Sequence, residues 1–250
     1  MVKGIDVSKW NGKVDWKAVA ASGVRFVMIR AAFGGKTGGC TEDPMFQSNI
    51  TGATEAGLRA GIYLYSYAMS VNAAVSEANA LVKLLEPHRK RITFPIAYDC
   101  EETAQTVLGK AVLTAMANAF CTQVKTAGYL AMVYANPNWL NNYYNTSELT
   151  SPIWLAQWTK TPTWKGAYDI WQHSDSGTVS GISGNVDLNI AYTMFEPKAA
   201  TTEEAIDTLA EKKLINSPDY WKKVIGGDAT VSAENVAALL EKWAASLSQA

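Results

Sequence analysis

An α/β barrel is the fold this sequence predicts, and three observations predict it. Strand and helix patterns alternate about five times from the N-terminus, strands then follow one another through Ser/Gly-rich turns, and no dinucleotide-binding glycine fingerprint is present. Repeated strand-helix units imply parallel neighbours with right-handed crossovers, which leaves a doubly wound sheet or a barrel. About eight strands without the fingerprint favour the barrel, here with its later helices missing. At 250 residues the chain can hold one barrel and a small appendix.

The elements follow in order. Val2 to Val7 reads as a short strand interrupted by Gly4, with Asp6 near its end. Asp15 is placed to cap a brief helix containing Trp16 and Val19, closed by Gly23. Val24 to Ala31 (VRFVMIRA) is a strongly apolar strand, followed by the tract FGGKTGG. That tract lacks the GxxxxGKS/T spacing and starts no helix at its lysine, so it reads as a substrate-side loop or a surface turn rather than a phosphate loop. Asp43 to Ala60 reads as a helix, with Phe46, Ile50 and Ala53 three or four apart. Gly61 resets the chain into the strand IYLYSYAM, where Tyr63, Tyr65 and Tyr67 share a face. Val71 to Leu85 is a helix with Val75, Ala78, Val82 and Leu85 on one side, and Pro87 closes it.

The next strand is the central one. Ile92, Phe94, Ile96 and Tyr98 alternate with smaller or less apolar residues, and Asp99, Glu101 and Glu102 arrive where that pattern runs out. In an extended chain residues two apart point the same way with Cα atoms roughly 6 to 7 Å apart, so Asp99 and Glu101 share a face. Two carboxylates that close disfavour each other's ionised form, and the less solvated one tends to keep its proton. This suits a general acid beside an anion. The same residues also fit an acidic strand end that stabilises the first turn of the following helix. Cys100 turns to the opposite face, where it reads as core.

Thr103 to Ala127 carries the longest helical pattern, with Val107, Leu113, Met116 and Phe120, and Gly128 ends it. A strand from Tyr129 to Ala135 follows, then one or two helical turns from Pro137 to Tyr144. Ile153 to Trp158, Tyr168 to Gln172 and the segment approaching Asp187 read as further strands.

Composition excludes some functions. The 22 basic and 23 acidic residues leave a formal charge of -1, so nucleic acid has no electrostatic claim as main partner. Nine Trp and eleven Tyr supply aromatic faces of the kind that bind sugars and peptides. Cys40, Cys100 and Cys121 are sparse, odd in number and without CxxC spacing, which points to a reduced chain with neither a zinc knuckle nor a disulfide framework. The N-terminus MVKGIDVSKW lacks an apolar signal region and no run of 18 apolar residues follows, so neither a signal peptide nor membrane insertion is expected.

After Pro197 the composition changes. Residues 201 to 250 carry eight acidic and five basic side chains. Thr201 and Glu204 have capping-box spacing, and Ser217 and Pro218 suit the cap and first position of a middle helix. Val236, Leu239, Leu240 and Trp243 fall on one helical face, which is expected to be buried. The segment reads as a three-helix module, too small for an ample core of its own and therefore suited to docking or self-association.

In a barrel the strand ends bring distant side chains to one mouth, which would gather Asp6, Asp99, Glu101 and Asp187. Here the chain resembles glycoside hydrolase family 25, lysozymes of the N-acetylmuramidase type. The matching pieces are GIDVSKWNG (Gly4 to Gly12), FVMIRA (Phe26 to Ala31), GIYLYSYA (Gly61 to Ala68), AYDCEE (Ala97 to Glu102) and IWQHSDSGTVSGISGNVDLN (Ile170 to Asn189). The resemblance implies an irregular, TIM-like (β/α)5(β)3 barrel over residues 1 to 197, with the helical module at 201 to 250 outside the family pattern. It implies hydrolysis of the β-1,4 bond between N-acetylmuramic acid and N-acetylglucosamine in bacterial peptidoglycan, without metal or cofactor. Carried over by position, the acidic set is Asp6, Asp99, Glu101 and Asp187. Glu101 would be the general acid and Asp99 an anion stabilising positive charge or a ring formed by the substrate's N-acetyl group. Asp187 would orient that group or assist water, and Asp6 would hold the network.

Tyr63, Tyr65, Tyr134 and Trp158 are the expected sugar-binding aromatics, while Trp10 and Trp171 fit either fixing Asp6 or closing the barrel. His173 lacks a positioned partner for catalysis, and adjacency with Ser174 and Asp175 is not triad geometry. The resemblance suits a phage endolysin made in the host cytoplasm, released by a holin, whose module attaches to the wall or forms a homo-oligomer. A glycosidase for another N-acetylated polymer such as chitin, and a catalytically silent wall-binding barrel, are the competing readings.

Overall fold

Near-continuous apolar runs such as residues 26–29, Ala131–Ala135 and Ile153–Ala156 give strands that are buried on both faces, and the strands close into a barrel. The computed structural model describes residues 1–193, 195, 206, 207, 209, 210 and 214–247, with side-chain surroundings through Lys242. In chain order the elements are β1 (Val2–Val7), α1 (Trp16–Ala21), β2 (Phe26–Gly34), β3 (Cys40–Glu42), α2 (Phe46–Glu55), β4 (Arg59–Tyr65) and α3 (Val71–Leu85). There follow β5 (Ile92–Asp99), α4 (Gly109–Thr126), β6 (Ala131–Ala135), α5 (Pro137–Asn142), β7 (Ile153–Ala156), β8 (Ile170–Gly177) and β9 (Val186–Ala191).

The hydrogen-bonded order is β1-β9-β8-β7-β6-β5-β4-β2, and pairing of β1 with β2 closes the ring. The strands run parallel around the barrel except β9, which is antiparallel to both β8 and β1. The barrel is therefore closed and eight-stranded but of mixed topology, not a strict parallel TIM barrel. β3 is a hairpin partner of β2 outside the ring, and the glycine-rich tract forms the turn between them.

Two apolar layers hold the ring. Phe26, Met28, Phe94, Met132 and Trp154 fill its interior, whereas Ile29, Ile62, Ile96 and Tyr98 pack outward against the helices. On β5 the alternation changes parity: Phe94 points inward, yet Ile96 and Tyr98 point outward, so the four residues do not share one face. The β4–β5 register shifts across this segment, where Pro95 has no N–H to give the ladder. Beyond the shift Ala97 and Asp99 face inward while Cys100 is buried in the outer core, as expected for that cysteine. All three cysteines are free. Gly61 is required by crowding, because a Cβ there would collide with Met28 and the Pro95 carbonyl.

Several boundaries differ from those expected. The helix placed at Asp43 starts at Phe46, because Asp43 is fully buried and instead pairs with Arg30 at 2.8 Å. β4 stops at Tyr65, and Tyr67 lies beyond it with its ring edge-on to Tyr65. β7 stops at Ala156, leaving Trp158 in the following loop. Helix α4 and the 3-10 turn before it are long and apolar enough to cross a membrane, but Leu113, Met116, Phe120 and Val124 are buried in the outer core.

Glu77 of α3 is a fully buried carboxylate beneath the mouth loops. It accepts hydrogen bonds from Ser66 Oγ at 2.6 Å and from the Tyr67 backbone N–H at 3.2 Å, and the Gly35 and Ala68 backbones also bond to it. Burial pushes its pKa up to about 7 despite these bonds. A raised carboxylate pKa means the folded state holds the proton more tightly, so its contribution declines as pH rises from the ordinary value of 4.5 toward 7. Glu77→Gln is expected to flatten the fall of Tm across that window, a change on the order of 3 kcal/mol by linkage. Parallel melting curves from pH 4 to 8 check this; an unaltered slope would remove Glu77 as its source.

The chain forms two compact units, Met1–Glu196 and Pro197–Ala250. The capping box expected at Thr201 and Glu204 lies outside the described residues. In the second unit α6 (Pro218–Gly226) begins at the expected proline, but Ser217 makes no side-chain capping bond, and α6 ends on Gly227 in the left-handed region. Helix α7 spans Ala233–Leu247. Its expected buried face is not buried: Val236 and Leu240 are exposed and Leu239 is half-buried, while the side chain of Trp243 lies outside the described residues.

Candidate active site

Strand direction explains which side chains meet at the mouth. Asp6 lies near the C-terminal end of β1, Asp99 closes β5, and Glu101 follows two residues later. β9 runs the opposite way, so Asp187, near its start, reaches the same end of the barrel and pairs directly across from Asp6. All four carboxylates line one cleft of about 210 Å³, with Tyr63, Tyr65, Tyr134 and Trp154 among its walls.

Two amides organise one half of this set. Asp6 Oδ2 accepts from Asn189 Nδ2 at 2.7 Å and from Gln172 Nε2 at 2.9 Å, and the Gln172 amide also reaches Asp187 Oδ2 at 3.4 Å. The amide orientations are set from behind. Trp154 Nε1 donates to Asn189 Oδ1 at 2.7 Å, while Tyr134 Oη and Trp158 Nε1 both donate to Gln172 Oε1 at 3.1 Å. Burial raises the Asp6 pKa well above the carboxylate range, and the charge of Asp187 adds to it. Burial also raises Asp187, but a hydrogen bond from Asp6 opposes that rise. With Oδ2 occupied by two N–H donors, the proton of this pair sits on Asp6 and is donated to Asp187, which stays the anion.

The other half is Asp99 and Glu101. Asp99 is only 4% exposed, whereas Glu101 is half-buried. Burial, then the charges of Glu101 and Asp6, push Asp99 well up, with Arg30 opposing. Glu101 is raised by burial first and by Glu102 second. Burial bears harder on Asp99 than on Glu101, and both carboxyls are pushed toward their protonated forms. Asp99 Oδ1 is buried without a hydrogen-bond partner among the described residues. An unpartnered buried acceptor invites a donor from a bound molecule.

Of the expected aromatic contacts, Tyr63, Tyr65 and Tyr134 line the cleft. Tyr65 donates to Glu102 Oε1 at 2.9 Å, and Tyr63 and Tyr134 pack edge-on against Trp154. Trp158 is not a cleft wall. It stands 56% exposed on an adjoining shelf with Trp171 and His173. Trp10 is on the rim of the cleft and 79% exposed, so it does not close the barrel. Trp171 is buried and donates to the Gln157 carbonyl at 2.8 Å. Among the described residues no group of three or more His, Cys, Asp or Glu is placed to hold a metal ion.

Sequence reading missed Gln172, Asn189, Arg30 and Trp154 as parts of the site. A signal for one existed: Asn189 is two residues from Asp187 on the same strand and hence on the same face. Gln172 carried no such marker, because its neighbours of like parity are Ile170 and Ser174.

A model of the glycosyl hydrolases family 25 matches residues 5–182, a range that contains Asp6, Asp99 and Glu101 and stops before Asp187. The autolytic lysozyme of Clostridium acetobutylicum is 30% identical over 192 residues, covering 75% of this chain and 55% of that protein. The modular autolysin LytC from Streptococcus pneumoniae, solved in complex with a synthetic peptidoglycan ligand, is similar with a TM-score of 0.68 and 26% identity, covering 76% of this chain and 46% of that one. The catalytic domain of endolysin ply40 from bacteriophage P40 of Listeria monocytogenes has a TM-score of 0.66 and 25% identity over 77% of this chain and 94% of that one. The chain thus spans about half the length of the first two relatives.

Proposed function

The chain belongs to glycosyl hydrolases family 25, and from that premise we infer that its barrel mouth hydrolyses the β-1,4 bond between N-acetylmuramic acid and N-acetylglucosamine in bacterial peptidoglycan. The observation that carries this reading is the meeting of Asp6, Asp99, Glu101 and Asp187 at one cleft. Its support outside the chain is the lysozyme and autolysin names of the relatives and the peptidoglycan ligand of LytC.

Glu101 is the general acid. Burial favours the protonated form of both Asp99 and Glu101, so the proton donor needs Asp99 to be the one that ionises. An N-acetyl N–H donated to Asp99 Oδ1, unpartnered among the described residues, stabilises the Asp99 anion, and that neighbouring charge favours keeping the proton on Glu101. Glu101 then gives it to the leaving sugar oxygen as the glycosidic bond breaks. The Asp99 anion faces the positive charge that develops on the sugar ring, or the ring formed by N-acetyl attack. Asp187 stays anionic and takes a proton from the attacking water, while Asp6 holds it in place with the proton it donates.

The second unit, Pro197–Ala250, serves wall attachment or self-association, and its exposed Val236 and Leu240 suit either role. The proposed context is a phage endolysin reaching the wall after holin-dependent release from the host cytoplasm, a reading supported among the relatives by the similarity to endolysin ply40.

Purified peptidoglycan incubated with the protein should gain reducing ends that are N-acetylmuramic acid. Reducing ends on N-acetylglucosamine would assign a different bond, and no new ends would defeat the muramidase reading.

A further inference from the structure

Glu101 lies beyond the end of β5 and before the 3-10 turn Thr103–Leu108, in a short segment that belongs to neither element. Its carboxyl makes no hydrogen bond or ion pair among the described residues. The aim of this side chain is therefore set through its main chain.

One buried amide holds that main chain on both sides. Gln105, in the 3-10 turn, is fully buried and lines no part of the cleft. Its Oε1 accepts from the Glu102 backbone N–H at 3.0 Å and from the Cys100 thiol at 3.2 Å, so the residues before and after Glu101 share one acceptor. Its Nε2 donates to the Ala68 carbonyl at 2.9 Å and to the Ser66 carbonyl at 3.2 Å. Both N–H groups and both lone-pair directions of the amide are used. Capping the turn accounts for only the bond to Glu102. The two bonds from Nε2 reach the loop after β4 instead, 37 and 39 residues earlier in the chain.

That loop is itself anchored. The Ser66 N–H donates to the Asp99 carbonyl at 2.7 Å, and the Ser66 hydroxyl donates to Glu77 Oε2 at 2.6 Å. Asp99 is thus bound to the loop directly, and the segment carrying Glu101 is bound to it through Gln105.

We propose that Gln105 is a positioning residue for the proton donor, setting the height and direction at which Glu101 meets the leaving oxygen. The inference rests on the reading of Glu101 as general acid and adds the residue that aligns it. A misplacement of about 1 Å in a reacting group costs on the order of 100-fold in rate, so a carboxyl without bonds of its own depends strongly on the chain that carries it.

The test is a double-mutant comparison on solubilised peptidoglycan, counting new N-acetylmuramic acid reducing ends, with Tm measured for every variant. Gln105→Met, close in size but without an amide, should lower kcat about 30-fold and leave KM within about twofold. In the Glu101→Gln background the same substitution should cost less than about threefold further, because the donor it aligns is gone. Gln105→Glu keeps the volume and the acceptor for Glu102 and Cys100, so it serves if the Met variant does not fold. Its loss, about threefold to tenfold, should likewise vanish in the Glu101→Gln background. A loss that persists undiminished in that background would overturn the proposal, because Gln105 would then act on the barrel at large. Wild-type kcat in every Gln105 variant that folds would also overturn it, and so would a change confined to KM. In each of these cases the wild type still cleaves; a wild type that releases no reducing ends brings down the cleavage reading and this inference with it.

Discussion

Glu101→Gln is expected to lower peptidoglycan cleavage at least about 100-fold, the scale of general-acid assistance, while leaving Tm within a few degrees. Gln keeps the shape of the side chain and removes the proton that the leaving oxygen needs. Glu101 is half-buried at the end of the central strand and pairs with no cation among the described ion pairs, so its replacement breaks no buried salt bridge. Turbidity loss of wall suspensions and counts of new reducing ends both measure the effect. The wild-type pH profile should fall on its basic side as Asp99 and Glu101 lose their protons. Because both pKa values are raised, that limb lies above the ordinary carboxylate range. Normal activity in Glu101→Gln would falsify its role as proton donor.

The second large effect separates two carboxylates that sit opposite each other on β1 and β9. Asp187→Asn is expected to cost about 100-fold in cleavage, because the anion that takes a proton from water is replaced by a neutral amide. Asp6→Asn is expected to cost less than about tenfold. An Asn at position 6 can keep an oxygen toward Gln172 and Asn189 and turn its NH2 toward Asp187, which reproduces the hydrogen bonds of a protonated Asp6. Steady-state rates for the two variants, measured side by side on the same wall preparation, give the comparison. A loss in Asp6→Asn as large as in Asp187→Asn would place the negative charge on Asp6 and reverse the proton assignment.

Local signals made much of the barrel legible. Apolar alternation located most of its strands, and the bounds Val71 to Leu85 are those of α3, although its buried face runs through Ala74, Ala78, Leu81 and Leu85 and leaves Val75 and Val82 half-buried. Prolines and the competing needs of acidic side chains set the misread boundaries. Asp43 had the look of a helix start but answers a buried arginine, and Pro95 inverted the parity of the central strand. The glycine-rich tract became a hairpin turn, and its partner β3 is too short and too polar to have an apolar signature. The helical face through Val236 and Leu240 was legible as amphipathic, but amphipathy does not say whether a surface exists to cover it.

The acidic residues of the mouth and the spacing of Asp99 and Glu101 could be read from the chain, because side-chain alternation is a property of neighbours in sequence. Their protonation could not. It depends on how deeply each carboxylate is buried and on which amides reach it, and those distances exist once the ring closes and one strand runs against the others. Closure brings Gln172 and Asn189 to Asp6 across more than 160 residues, leaves Asp99 Oδ1 without a donor among the described residues, and sets Trp158 outside the cleft on a shelf of its own. Contacts so distant along the chain leave no periodicity in it.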